Sequence, residues 1–386
     1  MKIRPGFDSP ALGVGQETAA AAQAELLDAA RPCSFRVLDA AVPNEAPEWL
    51  RLYDAYPEQE VFAHPEYVRL FARPCDRACC GIMQTAAGGV LFPFVVRPLA
   101  SELWASPEES AMDVISPYGY GGPFAWGCTE EDGKRFWQEF EMWAHEHKIV
   151  CTFLRLSLFP SERLRPPYGE RICQNNIIRS LDLDEAALLK DYDRKVPQNV
   201  NRALAQGLKF EADGTGKRLD AFLHVYYSTM ERCQAKATYY FPKALFSRFC
   251  ENLQRRYVFF HVLDGSEVVS TELVLLSARR MYSFLGGTLR EAFPKRPNDY
   301  LKHQAALYGK QIGKSEYVLG GGYSGDDSLY HYKKSFAPHG SVPFQVCEMI
   351  LDPENYQRIV GQRRSWEAAR SMDWKPEPGF FPQYRG

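Results

Sequence analysis

The stretch LGGGYSGDDSLYHYKKSF, Leu319 to Phe336, puts three glycines behind an apolar run and then two aspartates and two lysines. Glycines at a strand end free backbone N–H groups from the ladder and let a ligand approach the main chain. Gly320, Gly321 and Gly322 occupy such a place, and so do Gly286 and Gly287 in MYSFLGGTL. Asp326 and Asp327 stand where a helix starts. Each carboxylate either caps free N–H groups or acts as a general base or ionic hold for an amine. On that helix Leu329, Tyr332 and Phe336 share one face and are expected to pack inward. Arg290, Lys295 and Arg296 precede Pro297 and Asn298, a helix start at which cations form a phosphate cradle. Arg194, Lys195 and Arg202 lie on an amphipathic helix, either as a solvated face or as phosphate contacts. Tyr118 and Tyr120 in SPYGYGGPF either pack in a core or line a cleft with their rings.

These groups belong to a chain of 386 residues, 45% hydrophobic and 24% charged, which has the size of two domains and the make-up of a globular protein. A net charge of −2 gives no general attraction to DNA or to an anionic membrane. Cys75, Cys79 and Cys80 lack a second half at zinc-ligand spacing, so no metal is expected and the thiols read as reduced and cytoplasmic. No apolar run reaches the roughly 20 residues of a membrane span, and no signal-peptide pattern opens the chain. His64, His303 and His331 are isolated, and neither Gly-x-Ser-x-Gly nor His-x-x-x-His appears, which argues against a hydrolase.

One order of elements is written twice. The first copy runs from the helix PEWLRLYDAY through HPEYVRLFA, the strands ACCGIMQT and GVLFPFVV, SPYGYGGPF, the helix EDGKRFWQEFEMWAHEH and the strand IVCTFLRLSLF. The second runs from LDAFLHVYYSTM through FPKALFSRFC, the strands YVFFHVLDG and VVSTELVLLS, MYSFLGGTL, the helix NDYLKHQAALYGKQIG and the strand SEYVLGGGY. Asp264-Gly265 marks a hairpin turn. Between the copies DEAALLKDYDRKVPQNVNRALAQG reads as one linker helix ending at Gly207, despite Pro197.

Each copy resembles the GNAT acyltransferase fold. The tandem, with KVPQNVNRALAQG, YSFLGG, PNDYLKHQAALYGKQIG, DVISPYGYGGPF and LGGGYSGDDSLYHYKKSF, resembles the FemAB-like (FemX-type) family. That family includes peptidoglycan-bridge aminoacyltransferases and related bacterial acetyltransferase-type domains. The resemblance implies an α/β (α+β) chain of two tandem GNAT-like domains, each a mixed, largely antiparallel twisted sheet flanked by helices. The expected divisions are a lead-in over 1–31, domains over 32–184 and 208–345, a linker helix over 185–207, and a C-terminal segment over 346–386 that returns to the body and ends in a tail.

The activity implied is N-acyl transfer to an amine on a small molecule, peptide or envelope precursor. The donor would be acetyl-CoA or aminoacyl-tRNA as a co-substrate, with no tightly bound cofactor and with a tRNA acceptor end among the partners. The CoA pattern Arg/Gln-x-x-Gly-x-Gly/Ala is absent, which leans towards an aminoacyl ester. By resemblance Lys333 stabilises the oxyanion or a donor phosphate. Gly286, Gly287, Arg290, Lys295, Arg296, Asn298, Gly320, Gly321, Gly322 and Tyr332 are the donor-side candidates. Tyr118, Tyr120, Arg194, Lys195, Arg202 and Tyr323 are the acceptor-side candidates, and Asp326 and Asp327 join Lys333 as catalytic candidates. The other reading is an inactive GNAT pair that only binds a nucleotide-linked sugar or peptide.

Overall fold

A computed structural model describes residues 34–323 and 325–386. The lead-in expected over 1–31 lies outside them. In the first half Trp49, Leu52 and Tyr53 recur at helical spacing and are buried on one side of α1 (Glu45–Ala55). The edge strand β1 (Arg36–Asp39) comes before it and the short α2 (Pro65–Leu70) after it. The hairpin β2 (Arg77–Gln84) and β3 (Gly89–Pro98) leads to β4 (Met112–Ile115) and the short β5 (Phe124–Trp126). Thr129 and Asp132 form a reciprocal capping box at the start of α3 (Glu130–Glu146). Helix α3 lays Phe136, Trp137 and Phe140 on Phe92 and Phe94 of β3, and β6 (Ile149–Arg155) follows.

The second half repeats this sequence of events. Edge strand β8 (Lys209–Asp213), helices α6 (Leu219–Arg232) and α7 (Lys243–Asn252), and the hairpin β9 (Tyr257–Asp264) and β10 (Glu267–Leu276) lead to β11 (Arg280–Thr288). Helix α8 (Pro297–Gln311) and β12 (Glu316–Gly320) complete it. Strands β9 and β10 are buried at nearly every position, which explains their unbroken apolar runs.

Two strands lie outside this repeat, β7 (Glu170–Ser180) after the first half and β13 (Ser341–Ile350) after the second. The thirteen strands form one sheet in the order β1-β2-β3-β4-β6-β13-β7-β12-β11-β10-β9-β8, with β5 on β3. Read from either end the order is the same, and the closing strands are exchanged. Strand β7 pairs with β12 of the second half, and β13 pairs with β6 of the first. Among the described residues β4–β6 and β11–β12 are the parallel pairs.

The linker is two helices, α4 (Glu185–Asp191) and α5 (Lys195–Ala205), where one was expected. Pro197 explains the break. Inside a continuous helix it would forfeit a hydrogen bond and press on the carbonyl of Asp193, whereas in the first turn of α5 its missing N–H costs nothing. After β13, α10 (Pro353–Ala368) packs on β6, and the C-terminal tail is fastened down. Arg385 bonds Asp113 at 2.7 Å, and Trp374 donates to the Gly386 carbonyl at 3.2 Å.

A buried charge cluster joins the halves. Arg280 of β11, only 2% exposed, bonds Glu60 at 2.7 Å, Glu162 at 2.6 Å and Glu316 at 2.8 Å. Its guanidinium lies 3.5 Å from the Phe159 ring centre. Tyr282 and Ser277 also donate to Glu60, at 2.8 and 2.6 Å.

Candidate active site

Strands β11 and β12 run together for three residue pairs, from Arg280–Glu316 to Tyr282–Val318, and then part. Beyond Tyr282 only β10 pairs with β11, so its edge from Ser283 to Thr288 is open on the β12 side. The corresponding parallel pair of the first half is closed. There β4 and β6 pair to Ile115–Phe153 with one register shift after Met112, Ser116 N–H bonds the Phe153 carbonyl at 3.0 Å, and Gly121 N–H bonds the Arg155 carbonyl at 2.6 Å. Among the described residues the gap between parallel neighbours is in the second half.

The glycines at this gap serve separate purposes. Gly320 has φ +80°, a left-handed conformation that turns the chain out of β12. A Cβ on Gly321 would lie 2.4 Å from Asn176 Oδ1, and one on Gly322 would lie 2.3 Å from Asp327 Oδ1. Those two make room for protein, not for a ligand. Gly286 and Gly287 lie on the open edge of β11, but the space beside them is also filled. A Cβ would come within 2.5 Å of the Thr271 carbonyl at Gly286, and within 2.2 Å of Thr229 Oγ1 on α6 at Gly287. Their side-chain faces are packing surfaces.

Helix α9 (Ser328–Lys334) follows the turn. Asp327 is its N-cap, with Oδ1 accepting from Tyr330 N–H at 2.9 Å and Oδ2 from Tyr323 N–H at 2.6 Å. Asp326 is exposed and faces His331 at 3.7 Å. Asp327 is thus occupied as a cap, and Asp326 faces the helix's own histidine. Asp327→Asn, which keeps a capping oxygen, is therefore expected to hold turnover within a few-fold, whereas loss of a general base would lower it about 10²–10⁴-fold. A steady-state rate on the purified variant decides the matter. Leu329, expected inside, is 43% exposed, while Tyr330 and Phe336 are buried.

The cap aims α9 so that Lys333 reaches back to the strand end, where its Nζ donates to the Gly321 carbonyl at 2.6 Å. Nζ would also lie 3.3 Å from a Cβ on Gly320. Burial, then the nearby Lys302 ammonium, pulls the Lys333 amine down to about 7, against the opposing pull of Glu272 and Asp327. From the first half Tyr120 comes to the same spot. Its hydroxyl accepts from Asn176 Nδ2 of β7 at 2.7 Å and would lie 3.6 Å from a Cβ on Gly320.

Behind Lys333 is a polar group that was not foreseen. Lys302 of α8 is ion-paired with Glu272 of β10 and donates to Ser283 Oγ at 2.8 Å, while the Tyr317 hydroxyl donates to Glu272 Oε2 at 2.7 Å. The signals were a glutamate inside the apolar run VVSTELVLLS and a lysine beside Leu301 on the buried face of α8. Charges in such places are kept by pairing. Tyr332 sends its hydroxyl into this interior, where it is buried without a partner among the described residues, and burial holds the phenol protonated well above its usual range.

The remaining candidates are dispersed. Lys295 is ion-paired with Asp264 at the β9–β10 turn. Arg290 and Arg296 are exposed on either side of it and Asn298 is half-buried, just ahead of and within the first turn of α8. Arg194, Lys195 and Arg202 stand exposed at α5 with no ion pair among the described residues. Tyr118 stacks on Phe71 at 5.9 Å, and the exposed Tyr323 lies 5.9 Å from Tyr239. Among the described residues no His, Cys, Asp and Glu group could hold a metal ion, and no helix is long and apolar enough to cross a membrane.

Comparison with known proteins agrees with this geometry. The acetyltransferase (GNAT) domain family matches residues 190–334. FemX superposes with a TM-score of 0.61 at 14% identity, over 81% of this chain and 98% of that one. L-PGS from Bacillus licheniformis superposes with a TM-score of 0.50 at 12% identity, over 88% of this chain and 100% of that one. No curated protein matches in sequence. Residues 190–334 thus resemble the acetyltransferase (GNAT) domain, and the fold that holds them is like that of FemX.

Proposed function

We propose that the protein transfers an acyl group from a thioester or an aminoacyl ester to an amine, with the reacting carbonyl in the gap between β11 and β12. The observation that carries this reading is the half-buried Lys333 amine at the mouth of the gap, with an amine pulled down to about 7. A proton acceptor works best with a pKa near the operating pH. This changes the role expected for Lys333 from a fixed cation to a group that exchanges its proton.

As the acceptor nitrogen bonds to the carbonyl carbon, neutral Lys333 takes the proton that the nitrogen sheds. The ammonium so formed faces the oxyanion. Collapse of the intermediate breaks the bond to sulfur or oxygen, and the ammonium returns its proton to that leaving group. The open edge of β11 offers backbone donors and acceptors to an extended donor arm, as an added strand would use them.

The test is incubation of the purified protein with acetyl-CoA, or with a charged tRNA mixture, and a panel of amines. Acceptor-dependent loss of the acyl group from one donor is expected. If neither donor loses its acyl group with any amine, the reading fails and the binding-module alternative takes its place.

A further inference from the structure

Between the halves, beside the gap, lies a half-buried box of aromatic rings. Tyr118 of the first half lies 5.5 Å from Phe284 and 5.8 Å from Phe241 of the second, and Phe71 closes the other side. Arg155, the last residue of β6, is half-buried next to this box. Its Nη1 donates to the Ser116 carbonyl at 3.3 Å, and its guanidinium sits 5.1 Å from the Phe153 ring centre. Burial disfavours its charge, with the Tyr118 and Tyr67 hydroxyls among the polar groups nearby.

Among the described residues no carboxylate pairs with Arg155. Arg280, Arg179, Arg163 and Arg385 each have one, Glu60, Asp191, Glu170 and Asp113, while the half-buried Arg256 lies over the Tyr53 ring and bonds Gln59. A charge drawn out of water without a counter-ion is costly, so such groups are paired by protein or by ligand. Arg97, the cation that acts on Arg155, is already taken by Asp113 at 2.7 Å. A guanidinium that gives one N–H to a carbonyl and has no carboxylate suits a single planar anion and is too little for a diphosphate. The distance to the gap is short. Tyr118 is two residues from Tyr120, and Cys173, which Arg155 senses, is three residues along β7 from Asn176, roughly 10 Å at strand spacing.

We propose that Arg155 binds a carboxylate of the acceptor, whose apolar or aromatic body lies against the half-buried rings of Phe71, Tyr118, Phe241 and Phe284. The acceptor class is then an amine that also bears a carboxylate, an amino acid or short peptide. The proposal rests on the acyl-transfer reading above.

The experiment offers the twenty amino acids and their carboxamides as acceptors to wild type, Arg155→Met and Arg155→Lys. Wild type is expected to use the carboxylates with kcat/KM at least tenfold above the matched carboxamides, with the largest ratio for apolar and aromatic members. Arg155→Met is expected to lose about 10–100-fold on carboxylates and less than about twofold on carboxamides, with Arg155→Lys in between. Equal use of the two series by wild type overturns the proposal, and that comparison needs no variant to fold. An equal loss on both series in Arg155→Met overturns it too. Transfer to neither series but to another amine refutes this acceptor class alone, whereas no transfer to any amine refutes the acyl-transfer reading itself.

Discussion

Lys333→Met is expected to lower turnover by about 10²–10⁴-fold and to leave the protein at least as stable as wild type near pH 7. The two halves of this expectation have the same physical origin. Burial and the Lys302 ammonium disfavour the charged form of Lys333, so the folded protein binds this proton less tightly than the unfolded chain does. Between the folded value of about 7 and the ordinary lysine value of 10.5, the unfolded state holds more proton and stability rises with pH. Below about 7 the folded protein carries an unfavourable ammonium, which methionine removes. Wild-type kcat/KM should rise with pH through an apparent pKa near 7 and then level off. A fall above 7 would mean that the ammonium is the working form, and a variant with full turnover would take Lys333 out of the reaction altogether.

Arg280→Met is expected to cost about 3–5 kcal/mol of stability, read as a drop in the midpoint of denaturant unfolding. The side chain is almost fully buried and Glu60 is as well, so solvent offers little screening for the carboxylates left behind. Methionine would fill most of the space and keep a contact with Phe159, which makes the missing charge the main change. The pH dependence separates charge from packing. Burial already raises the Glu60 carboxyl, and the Arg280 charge opposes that rise. Without Arg280 the folded pKa goes higher still, so the stabilising, protonated form is populated as pH falls and lost as pH rises through it. The deficit should shrink from pH 7 to pH 5. A deficit that stays constant across that range would assign the cost to packing.

The parts legible in the sequence are those governed by neighbours along the chain. The Asp264-Gly265 turn, the capped α3 and the glycine turn after β12 all follow from local spacing. The two lives of Asp327, cap or base, were both visible as well, and only its two N–H partners decide between them. What escaped depends on distant pairing. Lys302 meets Glu272 thirty positions away, and Arg280 meets Glu60 across 220. No local pattern selects such partners. Gly287 looked like a ligand approach because a missing side chain does not say what fills its space, and here it is Thr229 of α6. Arg155 drew no notice because a lone arginine at a strand end stands out only once its neighbours are known to lack a carboxylate.

The exchanged closing strands bear on how such a chain could be divided or inherited. The segment 190–334 that carries the acetyltransferase match ends before β13 and begins after β7, so excising it would strip the strand that lies against β12 and leave a bare ladder edge beside Lys333. Each half holds the piece that finishes the other. Gene duplication could have produced the pair, but once the strands had crossed, neither copy could be shed, swapped or expressed by itself without unravelling its twin.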